Sequence, residues 1–457
     1  LSNLYIPVHE PQFRKQVTSL QENIPLREAI AYFEKHGITR FSRQSFQLCL
    51  FFCHNTIHGM KRNIVLAYSG GLDTSFCIPY LAEKYDAEIH AVTVDCGSID
   101  TANAGDLEAK AKKLGAASFT MADGKPMLVD KVIKYLIFGN VLRDRTYPLC
   151  VGSERFVQAV EVIKKAREIG ADAIAHGSTG AGNDQVRFDV ALRALFPEGE
   201  IITPIRDEAI SRQFATDFLK ARGFDVPVKT TQYSINKGIW GTSIGGKETA
   251  GSKQALPFEA FPEMPVPAGV PDAPETISIG FEKGIPVSLN GEKLTFLEII
   301  ERVRALGTRL GIGRGMHLGD TILGFKGRIG FEAPAATILY AAHRELEKLV
   351  LSKWQRHTKD QLADQYGMLL HEGQFFEPVM RNIESFLESS QETVTGEVSL
   401  YGYKGSLFPL SSASPNSLME RSPAKYGEEA GGWTGLEARA FCKLYAIPSL
   451  VTLSQKS

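Results

Sequence analysis

From residue 63 to about 228, short apolar runs alternate with stretches of helical period. Residues 64–68 form a continuous apolar run, as a strand buried on both faces should. The pattern then predicts a helix over 74–84, a strand over 88–94, a helix over 104–114 and a short strand over 118–121. Helices over 126–138 and 154–169 follow, with another strand over 171–175. Strands alternating with helices of this length predict an α/β fold, a parallel sheet covered on both faces. After Pro227 the texture changes. Residues 257–274 are proline-rich and aperiodic, which predicts an irregular crossing segment. Asn290-Gly291 is a type I′ hairpin signal. Helices are expected over 296–310, 335–356 and 378–389, with a second hairpin over 398–408 turning at Lys404-Gly405. This is an α+β second domain. The expected boundaries are 1–59 for an N-terminal extension, 60–227 for the α/β domain, 228–433 for the second domain and 434–457 for a docking tail.

Composition narrows the class. The 457 residues hold 51 basic and 52 acidic side chains, a net charge of −1 that excludes a general nucleic-acid footprint. The longest compact apolar patch is 48–53, far short of the ~18 residues a membrane helix needs. No basic segment followed by an apolar core opens the chain, and the six cysteines are irregularly spaced. Reduced thiols and a cytoplasmic location are therefore expected. Residues 1–59 stand apart, with four of the ten histidines and a local excess of basic charge. Within them Cys49, Cys53, His54 and His58 offer zinc-ligand chemistry, though the run is more compact than paired zinc knuckles.

The sharpest motif is Ala67-Tyr68-Ser69-Gly70-Gly71-Leu72-Asp73-Thr74-Ser75, between a buried strand and a helix. Adjacent glycines let successive N–H groups converge on an anion, and the helix N-terminus adds positive potential. Ser69, Thr74 and Ser75 supply hydroxyls for phosphate oxygens. Asp73 cannot favour bare phosphate, so it implies a bridging Mg²⁺ or a helix cap. The loop lacks the lysine of GxxxxGK[ST]. It resembles the pyrophosphatase loop of the N-type ATP pyrophosphatases, which cleave ATP between the α and β phosphates. A second loop, residues 176–188, follows the strand ending near Ala175. Loops at the carboxyl ends of parallel strands line the ligand crevice. Thr179, Asn183 and Asp184 offer hydrogen bonds to an amino-acid zwitterion, and Arg187 a fork for an oxyanion.

Both loops, with Tyr233-Ser234, Gly241-Thr242-Ser243, Gly311-Ile312-Gly313-Arg314 and Thr337-Ile338-Leu339-Tyr340, are similar to the argininosuccinate synthase family from about Met60 to beyond residue 400. That resemblance implies an adenine nucleotide hydrolase-like domain joined to an α+β synthetase domain and a C-terminal tail. It implies ATP as substrate with Mg²⁺, citrulline and aspartate as co-substrates, and a homotetramer. No nucleic acid or membrane partner is implied. ATP would contact Ala67 to Ser75, Val94 and Gly177. Aspartate would contact Thr179, Asn183 and Asp184. Citrulline would contact Tyr147, Gly152, Ser153, Asn183, Arg187, Ser234 and Ser243, with Gly319, Asp320 and Phe331 at its backbone end. Asp73, Asp184 and Arg187 would carry the catalytic roles, with Asp73 also at the metal.

The implied chemistry is attack of the citrulline ureido oxygen on the α-phosphorus, giving pyrophosphate and a citrullyl-adenylate. The aspartate amine then displaces AMP. No side-chain nucleophile is required, so positioning and charge stabilisation would do the work. Some positions depart from the family pattern. Ala181 stands where a lysine is frequent, and Gly319 and Phe331 stand where many members place Glu and Tyr. Asp320 is the expected replacement for the lost charge. The alternatives are the same chemistry on an N-acylated citrulline, and a tRNA-thiolating pyrophosphatase using Cys96 and Cys150. His343 is expected to be a packed helix histidine.

Overall fold

The computed structural model describes residues 61–99, 104–224, 232–427 and 431–455. The candidate zinc ligands Cys49, Cys53, His54 and His58 and the rest of the N-terminal extension lie outside the described residues.

Five parallel strands form the first sheet in the order β3-β2-β1-β4-β5. They are β1 (Arg62–Ala67), β2 (Ala87–Asp95), β3 (Ser118–Asp123), β4 (Ala173–His176) and β5 (Glu200–Ile202). The alternation along β1 sends its side chains to two different cores. Ile64 and Leu66 pack with Phe76, Cys77 and Leu81 of α1 (Leu72–Tyr85). Val65 points the other way, into a cluster with Val157, Val162 and Ile163 of α3 (Glu154–Glu168). Between these helices in sequence lies α2 (Ala104–Lys113). The expected helix over 126–138 forms, but its middle turn, Val129–Ile133, widens into a π-helix. Two further helices, α4 (Asn183–Leu195) and α5 (Arg212–Ala221), complete this part. Strand order reverses between β1 and β4, which opens a crevice at their carboxyl ends.

The second part contains two antiparallel sheets. One runs β11-β12-β7-β6, built from β6 (Ser234–Gly238), β7 (Gly241–Gly245), β11 (Arg314–Asp320) and β12 (Lys326–Glu332). The other runs β10-β9-β8-β13-β14, from β8 (Glu275–Glu282), β9 (Ile285–Leu289), β10 (Glu292–Lys293), β13 (Gly396–Tyr403) and β14 (Ser406–Ala413). Both expected hairpin turns form. Each has positive φ at its two central residues, Asn290 and Gly291 at 50° and 82°, Lys404 and Gly405 at 44° and 83°.

Helix α6 (Phe296–Arg309) matches expectation. The long helix expected over 335–356 does not. It is α7 (Pro334–Val350), a break, and α8 (Lys353–His371). Ser352 causes the break, because its hydroxyl accepts from Gln355 N at 3.3 Å while the Gln355 side chain accepts from Ser352 N at 3.0 Å. This reciprocal capping box starts a new helix. After α9 (Pro378–Ser390), the chain ends in α10 (Gly435–Tyr445) and α11 (Ile447–Ser454), which bury no residue. Among the described residues no helix is long and apolar enough to cross a membrane.

One apolar cluster runs from Val65 through Phe138 to Leu339 and Leu400, so the two parts share a core. A buried polar network crosses it. Lys359 donates to the Phe138 carbonyl at 3.1 Å and pairs with Glu347 at 3.1 Å. Glu347 also accepts from Asn140 and Gln391, whose carbonyls face the two nitrogens of His343. His343 is thus a packed histidine, as expected from its place on a helix.

Candidate functional site

The phosphate loop bends where it must. Gly70 has φ +74°, and a Cβ there would stand 2.4 Å from Leu107 Cδ2. Gly71 caps α1 in an extended conformation without a side-chain cap, so the first N–H groups of the helix stay open to an anion. The hydroxyls of Ser69 and Thr74 lie 3.2 Å apart, and Ser75 is buried with its hydroxyl donating to the Gly70 carbonyl. Lys110 of α2 donates to the same carbonyl, and burial pushes its pKa down. Lys110 thus brings a cation to the loop, whereas Ala181 is exposed.

A cleft of about 350 Å³ lies over this loop. Ala67, Tyr68, Ser69, Thr74, Val94 and Gly177 line it, as expected of a nucleotide site. A second cleft of about 610 Å³ adjoins it, and Arg155 and Asp184 line both. Tyr147, Thr179, Asn183, Arg187, Ser234, Ser243, Gly319 and Asp320 line the second cleft. Asp73 faces this one, beside Arg212. Burial raises the Asp73 pKa and the Arg212 charge opposes that rise.

Two guanidiniums grip Asp184. Arg155 reaches one oxygen at 2.9 Å and Arg187 the other at 3.0 Å. Burial alone would raise the carboxyl's pKa, but the two cations more than offset it and hold the value at about 2. A carboxylate so weakly basic is a poor proton acceptor at neutral pH. Arg187 also donates to the His371 carbonyl at 2.9 Å, which fixes its plane. Asn183 accepts from Ile322 N at 3.0 Å, tying α4 to the turn between β11 and β12.

Of the expected ATP contacts, Gly70, Gly71, Leu72 and Ser75 line neither cleft, and three expected citrulline contacts lie elsewhere. Gly152 and Ser153 line a small crevice behind Arg187, with Phe156 and Phe375. A Cβ on Gly152 would meet the Arg187 guanidinium at 2.6 Å, so Gly152 makes room for the arginine. Phe331 is buried with its ring 5.4 Å from that of Tyr147, and it supports the cleft wall from behind. Asp320 reaches the cleft, but its carboxylate pairs outward with Lys326 at 2.6 Å. The pattern along the chain pointed neither to Arg155 nor to Lys110. Each acquires its role from a partner distant in sequence, and the nearest signal is Arg155 following Tyr147–Ser153 at a helix start.

Cys96 lines the nucleotide cleft and Cys150 is fully buried. Burial pushes both thiols up, away from the thiolate a sulfur-transfer reaction needs.

A phosphate-binding parallel-sheet domain whose cleft opens onto an amino-acid-sized polar cleft defines an ATP-dependent ligase. Comparison with known proteins narrows the class. Residues 63–225 match the Arginosuccinate synthase N-terminal HUP domain, and residues 233–452 match the Arginosuccinate synthase C-terminal domain. The argininosuccinate synthase of Pyrobaculum aerophilum is 38% identical over 396 residues, covering 86% of this chain and 98% of that one. That of Pyrococcus furiosus is 37% identical over 388 residues, with 85% and 93% covered. That of Symbiobacterium thermophilum is 38% identical over 395 residues, with 86% and 97% covered. The chain belongs to the argininosuccinate synthase family.

Proposed function

We propose that this chain condenses citrulline with aspartate at the expense of ATP, giving argininosuccinate, AMP and pyrophosphate. The observation that carries the assignment is the junction of the two clefts at Arg155 and Asp184, which brings a phosphate loop and an amino-acid site into one space. The ureido oxygen attacks the α-phosphorus and the bond to the β-phosphate oxygen breaks, so pyrophosphate leaves. The aspartate amine then attacks the ureido carbon, the C–O bond to AMP breaks, and the amine proton passes to solvent. The Ser69–Ser75 loop holds the leaving pyrophosphate with N–H groups, hydroxyls and the helix N-terminus. Arg187, fixed by His371 and Asp184, orients the ureido group. Thr179 and Asn183 bind aspartate beside Asp184, and the aspartate ammonium loses a proton to solvent before the free amine attacks.

Among the described residues no three His, Cys, Asp or Glu side chains gather as a metal cage. Mg²⁺ would be held mainly by the ATP phosphates, with Asp73 at the start of α1 as the protein's carboxylate. When bound, the ion supplies charge neutralisation on the pyrophosphate. The domains run over 60–227 and 228–433, with the tail at 434–457 mediating a homotetramer; its exposed Leu436, Phe441, Leu444 and Leu450 support this. The free thiols of Cys77, Cys96, Cys150 and Cys442 suit the cytoplasm. The deciding assay is formation of AMP and pyrophosphate. Dependence on ATP, citrulline and aspartate together is the expected result, and product formation without citrulline overturns the assignment.

A further inference from the structure

The ureido substrate is also an α-amino acid, so its ammonium needs an anion once the ureido group sits at Arg187. The carboxylates lining the second cleft are otherwise engaged. Asp184 is held by Arg155 and Arg187. Asp73 stands at the start of α1 and faces Arg212. Asp320 turns outward to Lys326, with 56% of its side chain in solvent.

One further carboxylate, Asp144, approaches the cleft wall at His317 and Gly319. His317 and Gly319 are two apart on β11, so they share a face, and both line the cleft. A Cβ on Gly319 would start 2.9 Å from Asp144 Oδ2 and 2.6 Å from His317 Nε2. Asp144 therefore occupies the space above Gly319, although it comes from the loop between the 125–139 helical stretch and α3. Two features place it there. Its backbone is held at φ +48°, next to Arg145 at +59°. The His317 ring stacks on Tyr147 at 5.1 Å and fixes the neighbouring wall. The nearest cationic atoms, Arg143 Nε at 3.6 Å and His317 Nε2 at 3.7 Å, stand beyond good hydrogen-bonding distance. Burial lowers the His317 pKa, so Arg143 is the standing cationic neighbour of Asp144, at ion-pair rather than hydrogen-bond distance. With 60% of its side chain exposed, Asp144 keeps an open face for a ligand.

We propose that Asp144 binds the α-ammonium of the ureido substrate, and that position 319 is glycine because the His317 ring and the Asp144 carboxylate together fill the space a side chain would take. The assignment rests on the citrulline-dependent reaction proposed above. It makes Asp144 a specificity-determining residue rather than a catalytic one.

The test compares kcat/KM for citrulline, for 5-ureidopentanoate (the same molecule without its amine) and for N-acetylcitrulline. Wild-type protein is expected to prefer citrulline over 5-ureidopentanoate by about 100-fold, and Asp144→Asn by less than about 10-fold. Asp144→Glu, which restores the charge, should recover most of the preference. Each value is a ratio measured on one preparation, so partial misfolding does not move it. An unchanged ratio in Asp144→Asn, or a wild-type preference for N-acetylcitrulline, overturns the proposal. Wild-type protein that forms no AMP with any ureido substrate fails at the parent reaction, which the wild-type arm reports separately.

Discussion

Arg155 and Asp184 meet at 2.9 Å on the wall shared by the nucleotide and amino-acid clefts. One ion pair therefore borders both clefts. Asp184, gripped from its other side by Arg187, acts as a fixed negative point between two guanidiniums.

Arg155→Met should raise the Asp184 pKa. A carboxyl depressed to about 2 in the folded protein, against 3.8 when unperturbed, contributes stability that is complete above 3.8. That contribution fades as pH falls from 3.8 towards 2. Loss of one guanidinium makes that contribution smaller. Denaturant unfolding at a series of pH values should show the variant less stable than the parent above pH 3.8, with the gap narrowing as pH falls towards 2. Coincident curves would mean that Arg155 contributes little to the depression.

Asp73→Ala and Arg187→Ala should each abolish citrulline-dependent pyrophosphate release, because one removes the loop carboxylate and the other the group that orients the ureido oxygen. Loss of a single preorganised charge contact at a reacting centre typically costs about 100- to 1,000-fold in rate. Near-normal rates in both variants would contradict the assignment of the two clefts.

Gly70→Ala should weaken ATP binding and lower stability by about 1–3 kcal/mol, since it adds a Cβ at φ +74° against Leu107. Pairing it with Leu107→Ala relieves the clash but leaves the backbone strain. Calorimetry on the single and double variants separates the two contributions, and full recovery in the double would assign the whole cost to Leu107.

Joint replacement of Cys96 and Cys150 by Ala should leave kcat/KM within a few-fold, roughly the effect of trimming small buried side chains. Thiols pushed up by burial have no nucleophilic part in the proposed reaction. Complete loss of turnover in a folded variant would revive a sulfur-transfer chemistry.

Removal of residues 434–457 should dissociate the proposed homotetramer, because α10 and α11 present Leu436, Phe441, Leu444 and Leu450 without intramolecular cover. Light scattering of the truncated chain should report a smaller particle than the full chain. Equal masses would show that the tail is not the contact that holds copies together.

Local chemistry was legible along the chain. The Ser69–Ser75 loop, the 176–188 loop and both I′ hairpins each concentrate glycines, hydroxyls or amides in a few consecutive residues, and their conformations follow from neighbours in sequence. Four of the five parallel strands were legible, β1 most clearly because burial on both faces leaves an unbroken apolar run, whereas the three-residue β5 (Glu200–Ile202) was too short to mark. Strands β6 and β7 were not, because Ser234–Gly238 and Gly241–Gly245 are short, polar and glycine-rich, with no alternation to mark a face. The division of one expected helix into α7 and α8 was written in Ser352 and Gln355, a capping pair set inside a helical pattern.

What depends on distant approach was decided by the fold. Lys110 finds Gly70 across 40 positions, Arg155 finds Asp184 across 29, and Asp144 reaches Gly319 only because β11 passes beside its loop. The inward or outward turn of a side chain is decided the same way. Asp320 looked like the natural substitute for a lost charge, yet Lys326 across the hairpin draws it to solvent. Hydrogen-bonding capacity, helical period and backbone permissiveness are properties of a residue and its neighbours, so the chain carries them openly. Charge pairing, burial and the pKa values that follow are properties of separations in space, which exist only once the sheets and helices have packed.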